Sequence, residues 1–131
     1  VVSGSRREAR ERAIELLYEA EMKGISPNAL LLELPIEPDE YASWAVRGIA
    51  DHGGELDALI EPCLRDWALD RLPQIDREIL RLAVLELRDR PDVPTGVVLS
   101  EAVELANRYS TDASSRFVNG VLARLAADLR P

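Results

Sequence analysis

Arg6, Arg7 and Arg10 fall within one helical turn, with Arg10 three and four residues after the other two. Side chains at that spacing share one side of a helix. Guanidinium groups placed this way can contact successive phosphates or stack on bases. The plainer alternative is a solvated charged helix end. Cations at a helix N-terminus oppose the helix dipole, so three of them together ask for a reason. A second stretch, Ser114-Ser115-Arg116-Phe117-Val118-Asn119-Gly120, offers hydroxyls, a cation, a ring and an amide within a few residues. Single-stranded RNA is read by such a mixture, through stacking, base-edge hydrogen bonds and charge against phosphate. Arg116, Phe117 and Asn119 are therefore candidate RNA contacts. The alternative is a core Phe117 and an N-capping Ser114.

Catalytic chemistry finds little to work with. The sequence has no Gly-rich phosphate loop, no nucleophile motif and no cysteine pair. His52 is the one histidine and Cys63 the one cysteine. Without a second soft ligand a zinc site is not expected, and neither is any other metal or cofactor. Cys63 reads as a small buried hydrophobe in a reducing cytoplasm. Glu8, Glu11, Glu15 and Glu19 recur near Arg12 and Lys23, which predicts ion pairing along a helix surface.

The net charge of −8 at first opposes nucleic-acid binding. Its distribution qualifies that. Residues 1–23 carry five Lys/Arg and five Asp/Glu, residues 24–107 carry seven and seventeen, and residues 108–131 carry four and two. The two ends are the only parts not strongly acidic. If they meet in the fold they form a basic patch on an acidic body that keeps non-specific binding weak.

The elements that must position these residues are helices. At 131 residues and 47% hydrophobic, the chain is read as one domain, residues 1–131, large enough for a core. Abundant Leu, Ala and Glu favour helix, no period-two pattern suggests strand, and no apolar run is long enough to span a membrane. Punctuation predicts about seven helices. The first runs from Arg6 to Lys23, opened by a Ser5–Glu8 capping box and stopped by Gly24. Ser26-Pro27 opens a short second helix through Leu34. Asp39 caps the third, which Gly53-Gly54 should end. The fourth carries Leu56, Leu59, Ile60 and Leu64 and is bent or shortened by Pro62. The fifth, Ile75 to Arg88, is apolar around so much of its girth that it should be central. The sixth covers Gly96 to Tyr109, with Leu99, Ala102, Val103 and Ala106 facing inward and Leu105 on the flank. Asp112 to Ser115 are expected as a polar turn before the last helix.

Several stretches, taken in order, resemble the NusB family. They are Arg6-Arg7-Glu8-Ala9-Arg10-Glu11 with Ala13 and Leu17-Tyr18, and Asp70-Arg71-Leu72 through Ile75-Asp76-Arg77-Glu78-Ile79-Leu80-Arg81. Asp92-Val93-Pro94, Glu101-Ala102-Val103-Glu104-Leu105-Ala106 and Phe117-Val118-Asn119-Gly120-Val121-Leu122 continue the set. The resemblance implies an all-α fold of two small packed bundles and a factor in transcription antitermination. It implies binding to the boxA element of nascent ribosomal RNA transcripts, together with the small-subunit ribosomal protein that doubles as NusE. The pair joins an antitermination complex on RNA polymerase in the cytoplasm. By position, Arg6, Arg7 and Arg10 match the arginine-rich RNA-binding motif and Phe117 an aromatic at the RNA surface. Tyr18 and Asp76 match positions at or near the RNA and partner surfaces, and Asp112 lies in a turn associated with RNA affinity. Glu8 departs from the family, some members of which carry another Arg there. With the overall acidity, it suggests weak binding until a basic partner joins.

Two other functions fit the same residues. Some ribosomal RNA cytosine methyltransferases carry an N-terminal domain that resembles NusB; here the sequence stops at Pro131 without a methyl-donor domain. A helical interaction module without RNA, such as a homodimer formed through the first helix, is the third.

Overall fold

The computed structural model describes residues 5–65 and 68–131, and among them there is no strand. The helices are α1 (Arg6–Lys23), α2 (Pro27–Glu33), α3 (Glu40–Ile60), α4 (Gln74–Asp89), α5 (Thr95–Tyr109) and α6 (Asp112–Leu129), with short 3-10 turns at Glu61–Cys63 and Leu69–Arg71. They form two compact units, Val1–His52 and Gly53–Pro131.

In the first unit the ends of α1 follow from local chemistry. Ser5 Oγ accepts from the Glu8 N–H at 3.2 Å, and Glu8 Oε1 accepts from the Ser5 N–H at 2.9 Å. Two of the helix's orphan donors are thereby satisfied reciprocally. At the other end Gly24 takes φ 68°, a left-handed conformation that costs glycine little. This turns the Ile25 N–H back onto the Ala20 carbonyl at 3.0 Å. Ala13, Ile14, Leu16, Leu17 and Ala20 form the buried face of α1. Arg12–Glu15 (3.8 Å) and Lys23–Glu19 (2.9 Å) lie on the outer one, as the acidic spacing predicts.

α2 packs on α1 through the fully buried Leu30. It stops at Glu33, one residue short of expectation, because Pro35 pushes Leu34 into extended backbone. Asp39 caps α3 as expected, its Oδ2 accepting from the Tyr41 N–H at 2.9 Å.

Gly53-Gly54 was expected to end the third helix. Instead, helical geometry fails at a single residue, His52 (φ −118°, ψ 16°), and resumes through the glycines to Ile60. The two expected helices thus meet at a kink one residue before the glycines and share the label α3, which makes six labelled helices among the described residues. Pro62 acts as its chemistry requires: α3 gives way to a 3-10 turn at Glu61–Cys63.

In the second unit α4, α5 and α6 pack against one another, and α6 also meets the Glu61–Cys63 turn. α4 is the central element: Ile79, Leu80 and the whole run Leu82 to Leu87 are buried. Full burial of one such aliphatic side chain contributes roughly 1.5–3 kcal/mol, so this helix supplies much of the core. Its one basic flank is tied down. Arg81 meets Asp57 in a bidentate pair at 2.7 and 2.9 Å and Glu78 at 2.9 Å. Burial pulls the Arg81 guanidinium down, but Asp57 and Glu78 outweigh it and hold the pKa above the ordinary value.

Two expectations shift here. The buried stripe of α5 is Val98, Glu101, Ala102, Leu105 and Ala106, so Leu99 and Val103 sit on its half-buried flank. Asp112 to Ser115 are the first turn of α6, not a loop. Thr111 is the N-cap, accepting from the Ser114 N–H at 3.0 Å. A run of Ser, Thr and Asp satisfies either a turn or a capped helix start. The cap geometry decides for the helix.

Candidate nucleic-acid interface

The three arginines of α1 do not share one environment. Arg6 and Arg7 are exposed, whereas Arg10 retains only 3% of its surface. Tyr41, at the start of α3, is a neighbour of both the exposed Arg6 and the buried Arg10. The Arg6 guanidinium carbon lies over the Tyr41 ring at 4.3 Å from its centroid, and that of Arg10 approaches the same ring at 5.8 Å. Both distances lie within cation–π range. Tyr41 in turn packs on Trp44, ring centroids 5.1 Å apart and planes inclined by 42°. Ala9 and Ala42 complete this small cluster. The first unit therefore presents Arg6 and Arg7 outward and holds Arg10 inward. Tyr18, farther along α1, is 42% exposed.

The second unit builds a separate cluster at the start of α6. Arg116 and Asn119 are exposed one turn apart, with Phe117 half-buried between them. Phe117 is thus not consumed by the core; Val118, Val121, Leu122 and Leu125 fill that role. Asp112 is exposed in the first turn. Asp76, near the start of α4, is only 3% exposed. Its Oδ2 accepts from Ser114 Oγ at 2.8 Å, and the Ser114 oxygen itself accepts from Ser110 Oγ at 2.9 Å. Asp76 Oδ1 is buried without a hydrogen-bond partner among the described residues.

Three participants were not singled out from sequence as functional: Tyr41, Trp44, and Ser114 as the anchor of Asp76. Tyr41, Trp44, Ala45, Gly48, Ile49 and His52 recur along the chain as one helical stripe, and that spacing alone gives the two rings no more than a packing role.

No group of three or more His, Cys, Asp or Glu side chains among the described residues is arranged to hold a metal ion. No helix among them is long and apolar enough to cross a membrane.

A two-unit helical fold with arginines displayed at its first helix start defines a small helical binding protein. The NusB family model matches residues 7–127, and the chain belongs to the NusB family. It is 46% identical over 132 residues to the transcription antitermination protein NusB of Clavibacter sepedonicus, with 94% of this chain and 96% of that one covered. Among solved structures it is similar to T. maritima NusB (TM-score 0.88, 35% identity, 99% of this chain and 96% of that one). It also resembles a crystal structure of antitermination factors NusB and NusE in complex with dsRNA (TM-score 0.76, 32% identity, 94% and 96% covered).

Proposed function

We propose that this protein is a transcription antitermination factor that binds boxA-type RNA of nascent ribosomal RNA transcripts together with a NusE-type ribosomal protein. The pair acts within an antitermination complex on RNA polymerase, in the cytoplasm. The observation that carries the reading is the outward display of Arg6 and Arg7 at the start of α1 in a chain of this family. Exposed guanidinium groups can replace the counterions of a phosphate backbone.

Within this reading Arg116, Phe117 and Asn119 form a second RNA-contacting group, with the half-buried Phe117 offering its ring to a base. Asp112 tunes that surface, and Tyr18 serves the RNA or partner side. The roles of Arg10 and Asp76 are indirect, since both are buried. Arg10 holds the Tyr41 ring from within, and Asp76 fixes Ser114 at the base of the α6 cluster. The protein is read as a binding factor without catalysis, because its sequence carries no nucleophile motif and no Gly-rich phosphate loop and its one cysteine, Cys63, is buried.

The net charge of −8 makes the lone chain a weak RNA binder. A basic ribosomal protein offsets that charge, so affinity and its salt dependence rise together. The test is a titration of boxA-type RNA across a range of salt, with and without the NusE-type protein. Cooperative tightening by the partner supports the reading, and equal weak binding in both arms refutes it.

A further inference from the structure

Leu30 is the residue that α2 buries. The leucines beside it have a different setting. Leu31, Leu32 and Leu34, with Pro38 from the connector, line a groove of about 530 Å³ between α2 and α3. Leu32 keeps 89% of its surface exposed. Ile36, in the same connector between Leu34 and Glu37, keeps 82%. Scattered singly such side chains are ordinary, but gathered at one groove they mark an interaction surface. The walls are tied together. Asn28 Nδ2 donates to Asp51 Oδ1 at 3.0 Å and links α2 to α3. Arg47 donates to Glu37 at 3.4 Å and links α3 to the connector. The whole groove belongs to the first unit.

The charge around it selects the occupant. Residues 24–52 carry five Asp/Glu against one Lys/Arg, and that one cation is Arg47, bonded to Glu37. Glu37 and Asp51 themselves line the groove. Such a rim repels phosphate, so neither RNA nor an anionic lipid surface suits it. A second copy seated through the same face would set acid against acid. A groove between two helices takes the apolar face of a third, and an acidic rim asks that helix for basic flanks.

We propose that the α2–α3 groove is a docking site for a basic amphipathic helix of a further protein. Its apolar side chains enter beside Leu32 and Ile36, and its lysines or arginines meet Glu37 and Asp51. None of the residues placed on the RNA side or the NusE-type side lines this groove. The inference therefore goes beyond the RNA-binding reading and adds a separate surface through which the protein joins a larger assembly.

The probes are three labelled helical peptides of equal length. One has a leucine face and a lysine face, one replaces lysine by glutamate, and one replaces leucine by serine. Anisotropy titrations should show the leucine–lysine peptide binding at least about tenfold more tightly than the other two. Leu32→Ser with Ile36→Ser removes the apolar rim at exposed positions and should weaken that peptide about tenfold. Met22→Ser with Val97→Ser, at exposed apolar positions outside the groove, should stay within about twofold. Glu37→Gln with Asp51→Asn should weaken the peptide and flatten its salt dependence. Equal binding by the parent protein and the Leu32→Ser, Ile36→Ser variant overturns the inference, because charge alone then holds the peptide. Equal binding of the glutamate peptide overturns it as well. A self-association of the parent protein that this variant abolishes in sedimentation overturns it in favour of a second copy. The variant should also bind boxA-type RNA with the NusE-type protein as the parent does. Weaker binding there would put the groove in the interface already proposed and overturn the inference. If the NusE-type protein tightens RNA binding in neither protein, the RNA reading falls and the peptide result still decides the groove.

Discussion

Ser114 Oγ donates to the buried carboxylate of Asp76 at 2.8 Å and ties the start of α6 to the start of α4. This bond joins two helix N-termini through a single charge. A carboxylate in the first turn of α4 is favoured by the helix dipole, and in the first turn of α6 the Ser114 N–H serves the Thr111 cap while its hydroxyl is left for Asp76. Each residue thus suits its own helix, and the bond between them sets where the α6 cluster lies within the second unit.

Ser114→Ala removes the donor and leaves Asp76 buried with neither oxygen paired. It should cost about 1–3 kcal/mol in urea unfolding at neutral pH. In the Asp76→Ala background the same change should cost clearly less, because the stranded charge has gone. Equal penalties in the two backgrounds would show that the bond carries no coupling energy.

Arg130 follows the last turn of α6 and closes the second unit. Its guanidinium donates to the carbonyls of Leu87 (3.0 Å), Val93 (2.7 Å), Glu86 (3.2 Å) and Arg90 (2.8 Å), and to Thr95 Oγ1 (3.1 Å). It therefore satisfies the exposed carbonyl end of α4 and fixes the connection to α5. Arg130→Ala should destabilise the protein by about 2–4 kcal/mol, and Arg130→Lys should recover only part, since an ammonium cannot span that fork. Chemical denaturation of the three proteins checks the order.

Cys63 is buried, and Arg124 bonds its carbonyl at 2.8 and 3.2 Å. Burial, with help from Asp128 and against the pull of Arg124, raises the thiol pKa above its ordinary value. The folded state therefore keeps the proton to higher pH than the unfolded chain does. The resulting stability is complete below the ordinary thiol range and is lost as pH rises through the folded value. Alkylation by iodoacetamide at mildly alkaline pH should be at least about tenfold slower in native protein than in urea. Equal rates would contradict the assignment.

The parts of the fold legible in the sequence were those set by neighbours along the chain. The Ser5–Glu8 box, the Gly24 stop, the Asp39 cap and the Pro62 break each act within a few residues, and each was readable. The break expected at Gly53-Gly54 falls one residue earlier, at His52, and the glycines open the helical segment that follows, since glycine weakens a helix without forbidding it. The polar run Asp112–Ser115 was ambiguous between turn and capped helix, since the same hydroxyls serve both. Sequence spacing put Arg6, Arg7 and Arg10 on one side of α1 but could not reveal that Arg10 is buried beside Tyr41, a residue of another helix. For the same reason sequence spacing could not reveal that Asp76 is buried, its serine partner lying on α6.

The burial of Arg10 redirects the mutational test. Arg10→Glu places a carboxylate against the buried Tyr41 ring and is expected to lower stability by about 2 kcal/mol or more. Loss of binding in that variant would report on folding. Thermal unfolding of Arg10→Glu beside Arg7→Glu should show the first clearly destabilised and the second near the parent protein.

Arg7→Glu is therefore the direct probe of RNA binding. Affinity for boxA-type RNA should be measured with the NusE-type partner present, at several salt concentrations, for the parent protein and this variant. The variant is predicted to bind about tenfold or more weakly at moderate salt, with a salt slope shallower by about one phosphate contact and unchanged helicity. The same affinity and the same slope in both proteins would contradict the claim that the start of α1 binds RNA.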